Sequence, residues 1–298
     1  MSVAPTLDGK GCIGSLEPHL HELFSSVRVP GEEFVYSASN EMYNQLDDYC
    51  DETTMHEVRP PMLIMDESGS GKSSLLANWL HRRKQKATHA RKTSSSEFVF
   101  WHAVGCTRQS MNVHSLIRRL MHDLKAKFDI TRDVPFAQDR LSWELPRFFE
   151  MAAKKGKLIV VIDGIHRLVT NEDTEAGLAW LPLEFPPNMR IIISATAKRM
   201  DLASRGILQV NKGIPRENSL VGSNVDASLV GHEKSRLSGG VDEAVDNSTA
   251  LAKAERWGKI LSELERRKWK SIRIKSLDKA QCRNILETYI WKGVQSET

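Results

Sequence analysis

One stretch of nine residues limits this chain more than any other. Asp66-Glu67-Ser68-Gly69-Ser70-Gly71-Lys72-Ser73-Ser74 lies between a short apolar run, Met62-Leu63-Ile64-Met65, and a segment opening at Ser73 that puts Leu75, Leu76, Trp79 and Leu80 on one face. A strand without polar alternation is buried on both faces, and apolar residues at three- and four-residue spacing make an amphipathic helix. Strand, glycine loop and helix together turn backbone N–H groups inward around phosphate oxygens, and the helix N-terminus adds its dipole. The stretch matches G-x-x-x-x-G-K-[ST] at every fixed position except the first, where Asp66 stands for glycine.

Each residue of the loop then has an expected task. Glu67, Ser68, Gly69, Ser70 and Gly71 form the cradle, Lys72 reaches the β/γ-phosphates, Ser73 places its hydroxyl on Mg²⁺ and Ser74 bonds the α-phosphate. Asp66 works against this, because a carboxylate beside Glu67 repels a polyphosphate unless it points away or pairs with a base. Weak or ADP-preferring binding is the corresponding expectation.

A second motif, Leu158-Ile159-Val160-Val161-Ile162, is the most apolar strand of the chain and ends in Asp163. Ligands of open α/β sheets gather at that C-terminal edge. Asp163, about 90 residues beyond Lys72, is expected to hold Mg²⁺ through water opposite Ser73. The residues that follow, Gly164-Ile165-His166-Arg167-Leu168, offer no carboxylate to polarise an attacking water. His166 is the candidate catalytic base beside Asp163, since an imidazole can take a proton near neutral pH, although a loop histidine is more often a surface or supporting group; Glu172 and Asp173 read as solvated. A further strand over 190–195 runs into Thr196, making Ser194 and Thr196 candidates to face the terminal phosphate, with helix capping as the ordinary alternative.

The remaining pattern is of strands separated by helices, which implies parallel βαβ crossovers. Helices are expected over about 18–26, 40–51, 113–128, 141–154 and 257–269, and strands over 98–104 and 272–274. The fold class is therefore a P-loop NTPase three-layer α/β/α sandwich with a mainly parallel sheet and a short C-terminal helical segment. Four regions follow: a flexible arm over 1–30, the core over 31–200, a polar and disordered insertion over 201–252, where Ser, Gly, Asn and Asp dominate, and the end of the core with the start of a lid over 253–298. Pro146 is expected in the first turn of its helix. Trp79, Trp101, Trp143 and Trp180 read as core or domain-contact residues, and Trp257 or Trp269 as contacts for a partner domain.

Composition excludes some classes. With 298 residues, 40% of them apolar, and 27% charged, the chain can bury a full core. No apolar run approaches the roughly 20 residues of a membrane span, and the N-terminus lacks a secretory pattern, so a cytoplasmic protein is expected. The net charge of +4 does not demand nucleic acid. Arg82, Arg83, Lys84, Lys86, Arg91 and Lys92 cluster without interleaved aromatics and read as a solvated helix end. The four cysteines, Cys12, Cys50, Cys106 and Cys282, form no zinc or disulfide pattern.

Phe34-Val35, the loop continued through Leu75-Leu76-Ala77-Asn78-Trp79, Phe100-Trp101-His102-Ala103-Val104-Gly105-Cys106, Val161-Ile162-Asp163-Gly164 and Arg190-Ile191-Ile192-Ile193-Ser194 together resemble the NACHT/NB-ARC-like STAND NTPases, particularly the nephrocystin-3-type branch. The likeness covers roughly 34–198 and 257–292. It implies an ATP/ADP-dependent switch with Mg²⁺, slow hydrolysis, and protein partners or self-association through attached C-terminal repeat domains. The chain departs from the pattern at Asp66, after Asp163 and over 201–252, and stops where a lid and repeats are expected. The alternative is a nucleotide-free interaction scaffold that keeps a degenerate P-loop fold. A small-molecule kinase would need an arginine-rich lid. A GTPase would need a guanine-reading Asn/Thr-Lys-x-Asp, and Asn211-Lys212-Gly213-Ile214 lacks the acid.

Overall fold

The computed structural model describes residues 13–30, 36, 38, 40–51, 58–89, 97–169, 178–196, 258–274 and 277–296. The expected insertion over 201–252, Trp257, Glu172 and Asp173 lie outside them. Five strands, β1 (Met62–Asp66), β2 (Phe98–Ala103), β3 (Leu158–Asp163), β4 (Met189–Thr196) and β5 (Ser271–Ile272), form one parallel sheet in the order β2-β3-β4-β1-β5. The helices are α1 (Ile13–Ser26), α2 (Asn40–Asp51), α3 (Lys72–His89), α4 (Val113–Phe128), α5 (Gln138–Lys155), α6 (258–267) and α7 (Lys279–Ser296).

Alternation along the strands sorts the core into two layers. Leu63 and Met65 of β1, with Leu158, Val160 and Ile162 of β3, face α4, α5 and α6; Met62 and Ile64, with Ile159 and Val161, face α2 and α3. A side-chain period of two feeds both layers from one run of apolar residues, so the three-layer α/β/α sandwich follows from the unpatterned strands. Asn112 caps α4, its Oδ1 accepting the Ser115 N–H at 2.9 Å, and Asp129 closes it in a left-handed conformation (φ 46°).

Several boundaries and burials differ from expectation. Helix α5 begins at Gln138, so Pro146 lies in its interior, where it removes one helical hydrogen bond. Burial of Leu141, Leu145, Phe148, Phe149 and Ala152 carries the helix through. Trp143 projects from the outer face, 83% exposed, and is not core, whereas Trp79 and Trp180 are buried. Trp269 is buried as well, edge-on to Phe185 at 6.4 Å between ring centroids, because residues 258–274 return to the sheet as α6 and β5. Of the cysteines described, Cys50 is buried, Cys106 half-buried and Cys282 exposed. The basic group on α3 is spent on neighbours: Arg83 pairs with Asp47, Asp51 and Glu97, Lys86 with Asp47, and Lys84 with Glu22; Arg91 and Lys92 lie outside the described residues.

The helix expected over 18–26 runs from Ile13 to Ser26, and within the described residues of the expected arm it is docked on the core, pinned by a histidine 1% exposed. His21 Nδ1 accepts the Ala103 N–H at 2.9 Å, Trp101 Nε1 donates to the His21 carbonyl at 3.0 Å, and Thr107 Oγ1 donates to Glu17 at 2.8 Å. Cys106 Sγ lies 3.2 Å from His21 Nδ1, and Glu17 lies 3.3 Å from Nε2. Backbone polar groups at a sheet edge demand partners, and an imidazole supplies one where periodicity alone shows only a weak amphipathic segment.

Candidate functional site

Parallel strands deliver their last residues to one edge. Asp66 ends β1 beside Thr196 of β4, and Asp163 ends β3. Between β1 and α3 the loop 67–71 turns through two left-handed residues, Gly69 (φ 79°) and Gly71 (φ 89°). A side chain at these angles is strained. At Gly71 an added Cβ would also lie 3.6 Å from Tyr36 Cε2, while at Gly69 it would meet nothing within 4 Å. The loop is therefore a tight backbone turn with an open mouth.

Lys72 opens α3 and folds over the loop. Its Nζ donates to the Asp66 carbonyl at 2.9 Å, the Glu67 carbonyl at 2.6 Å and Ser70 Oγ at 3.1 Å. Burial lowers its pKa; Asp66 and Asp163 pull it back up, and the Arg167 charge pushes it down again.

Asp66 is the departure from the motif, and the fold turns it inward. The residue is 1% exposed, and its Oδ1 accepts the Glu67 N–H at 2.8 Å. Its carboxylate organises the start of the loop from beneath. Asp66→Gly is accordingly expected to leave affinity for Mg-nucleotide within about threefold, measured by calorimetric titration; a large gain would show that the carboxylate repels the ligand.

Asp163 and Ser194 are joined across the sheet. The Ser194 hydroxyl donates to Asp163 Oδ1 and accepts the Gly164 N–H at 2.9 Å. Both residues are buried, so Ser194 holds the carboxylate in place. Thr196 donates its backbone N–H to His166 Nδ1 at 3.2 Å. A ring nitrogen that accepts an N–H carries no proton, which directs the proton of the neutral imidazole to Nε2. Ser73 and Ser74 sit half-buried in the first turn of α3, Ser68 and Glu67 at the exposed mouth.

The site also contains residues that motif spacing did not reveal. Asn78 Nδ2 donates both to the Ser74 carbonyl at 2.7 Å and to the Arg28 carbonyl at 2.8 Å, tying the turn after α1 to the first turn of α3. Arg167 Cδ lies along the backbones of Gly105 and Gly164, and the Arg28 guanidinium sits over the Phe24 ring. No local pattern marks Arg28, which stands 38 positions before Asp66 in the chain.

No family model matches the chain. A TPR repeat-containing protein of Dictyostelium discoideum is 26% identical over 175 residues, 46% of this chain and 10% of that protein. Human nephrocystin-3 is 30% identical over 142 residues, 47% of this chain and 10% of its own length, and the mouse protein 28% over 149 residues. The chain thus spans about a tenth of the length of these relatives, and its relationship to the nephrocystin-3 proteins is distant. Among solved structures, the Aeropyrum pernix ORC2 protein in its ADPNP–ADP complexes superposes with a TM-score of 0.46 at 9% identity, covering 90% of this chain and 55% of that one. Drosophila ORC bound to DNA gives 0.39 at 13% identity, covering 69% and 48%.

Proposed function

We propose that this domain binds ATP or ADP with Mg²⁺ on the loop 66–74 and uses nucleotide state as a switch, with slow or absent hydrolysis, in the manner of the STAND NTPases it resembles. The observation that carries the reading is the left-handed turn at Gly69 and Gly71, with Lys72 drawn onto its carbonyls at the edge where Asp163 ends β3. On this reading the N–H groups of 67–71 and Lys72 take the phosphates, Ser74 the α-phosphate, and Ser73 with Asp163 the cation. Mg²⁺, when bound, supplies positive charge against the phosphate oxygens. Ser194 orients Asp163, and Thr196 orients His166.

The surroundings of Asp163 support slow turnover. The next residues bring no carboxylate, and His166 has its Nδ1 lone pair engaged by Thr196. A group already accepting a hydrogen bond there is a poor base through that nitrogen. No helix among the described residues is long and apolar enough to cross a membrane, which suits a cytoplasmic switch. Helix α7 leaves Leu286 and Ile290 62% and 67% exposed, and an exposed apolar face supports a protein contact.

Titration of the purified chain with ATP and with ADP, each with Mg²⁺ and again with EDTA, tests the reading. Saturable binding that weakens when the metal is removed supports a switch site. Absence of binding to either nucleotide sinks it and leaves the alternative, an interaction scaffold on a P-loop fold.

A further inference from the structure

Helix α1 turns its apolar residues to solvent. Leu16, Leu20 and Leu23, with Val27 in the turn beyond, recur at helical spacing and are 41–58% exposed, and of residues 16–30 only His21 is buried. A surface helix ordinarily buries such a stripe, as α4 and α5 do. Polar atoms hold α1 instead: the His21 ring and carbonyl meet Ala103 and Trp101, Glu17 meets Thr107, and Glu22 meets Lys84 at 3.1 Å. Bonds of this kind add little net stability apiece, and a cleft of about 320 Å³ runs between α1, β2, α3 and α4. The helix is thus held by a few exchangeable contacts and tethered just past its end, where Asn78 donates to the Arg28 carbonyl.

One of those contacts depends on a proton. β2 is the outermost strand, so the Ala103 N–H points away from its neighbour β3, and the His21 ring accepts it. Accepting it takes the Nδ1 lone pair and puts the single proton of the neutral ring on Nε2, 3.3 Å from Glu17. A second proton can go only on Nδ1, where donor would then face donor. Cys106 Sγ, 3.2 Å from Nδ1, is no adequate substitute, because burial raises its thiol pKa and a thiol sulfur is a weak acceptor. The other charged or titratable groups about the ring are Glu17 and Glu22 of α1, His102 of β2, His81 and Lys84 of α3, and Arg119 and Asp123 of α4. Glu22 is paired with Lys84, and Asp123 with Arg119. Glu17 favours a charged ring, while burial and then His102 and Arg119 oppose it.

We propose that α1 is a strap latched by His21 and released by protonation of that ring, leaving β2 while the sheet stays folded. Release gives the imidazolium water and opens the Ala103 N–H and the Trp101 indole to solvent at the sheet edge. The step is local because the two apolar layers lie elsewhere: no described residue of α1 belongs to either.

Hydrogen exchange of the full chain between pH 7.5 and 5, followed amide by amide by NMR and corrected for the intrinsic pH dependence of exchange, tests this. The Ala103 N–H and the amides of α1 are expected to lose protection together, about tenfold per pH unit below about 6.5. At pH 5 they should exchange at least about tenfold faster than the amides of β3. In His21→Asn, whose side chain accepts an N–H without titrating, α1 should be less protected at pH 7.5 but show no such slope; in His102→Asn the slope should persist. Loss of protection by α1 and β3 in step at every pH overturns the proposal, since α1 then leaves only when the whole domain unfolds. Protection of α1 that does not fall with pH overturns it too. A slope kept by His21→Asn and abolished by His102→Asn moves the latch to the other ring. If α1 of His21→Asn does not dock at all, the comparison of α1 with β3 in the wild type still decides.

Discussion

Lys72→Ala is expected to weaken binding of Mg-ATP and Mg-ADP by at least about 100-fold while leaving the fold in place. Lys72 Nζ makes three hydrogen bonds, all within its own loop, to Asp66, Glu67 and Ser70. Exchanging these for phosphate oxygens gives charge-assisted bonds of about 1.5–3 kcal/mol each, and a hundredfold change in affinity is about 2.7 kcal/mol. The side chain points to the loop and outside both apolar layers, so its loss costs the fold about 1 kcal/mol, a shift of roughly 2–4 °C in Tm for a domain of this size. Calorimetry for binding and thermal unfolding without nucleotide check the two halves separately. Unchanged affinity would remove the phosphate-loop assignment; a collapse of Tm would mean that Lys72 is a structural residue.

The second large effect is acid destabilisation through two buried neutral histidines. Burial, followed by the charges of His102 and Arg119, lowers the pKa of His21 to about 2; burial and then Arg119 lower that of His102 to about 3. His102 Nδ1 faces Arg119 Nη1 at 2.9 Å and its Nε2 faces the Ser110 carbonyl at 2.9 Å, a geometry that suits only the neutral ring. The unfolded chain takes up protons near the ordinary histidine value of 6.5. Between that value and the folded values the unfolded state binds more protons, so stability rises with pH and is lost as pH falls below about 6.5. The limiting slope is about 1.4 kcal/mol per pH unit for each histidine. Denaturant unfolding at pH 7 and pH 5 should show a loss of a few kcal/mol. His21→Asn, whose Oδ1 can still accept the Ala103 N–H, should start less stable but lose less on acidification. A flat profile between pH 7 and 5 would show that these rings are charged or solvated in the folded protein.

Much of the sheet was legible because its strands are extreme. Leu158 to Ile162 has no polar residue to spare for a solvent face, and Met62 to Met65 runs directly into the glycine loop, so both placed themselves in the centre. The helices over 40–51 and 113–128 matched their periodicity to the residue. Misplacements came where tertiary burial outweighed local rules: α5 runs through Pro146 because five apolar residues pack on the core, and Trp143 stands in solvent although its residue type favours burial. The docking of 13–30 was not legible for a related reason, since its anchors are long-range contacts: the His21 imidazole meeting a backbone N–H from β2, and the indole of Trp101 and hydroxyl of Thr107 meeting α1.

The order of residues by itself determined the glycine turn over 67–71, the strand before it and the carboxylate at the end of β3, because each depends on neighbours in sequence: glycines that permit φ near +80°, apolar runs that must be buried, a lysine that begins a helix. Only the tertiary structure decided which way Asp66 faces, that Ser194 holds Asp163, and that Asn78 joins the turn after α1 to the first turn of α3. Those relations join residues that are tens of positions apart or more, and parallel strands with right-handed crossovers bring them together at one end of the sheet only when the whole sheet has formed.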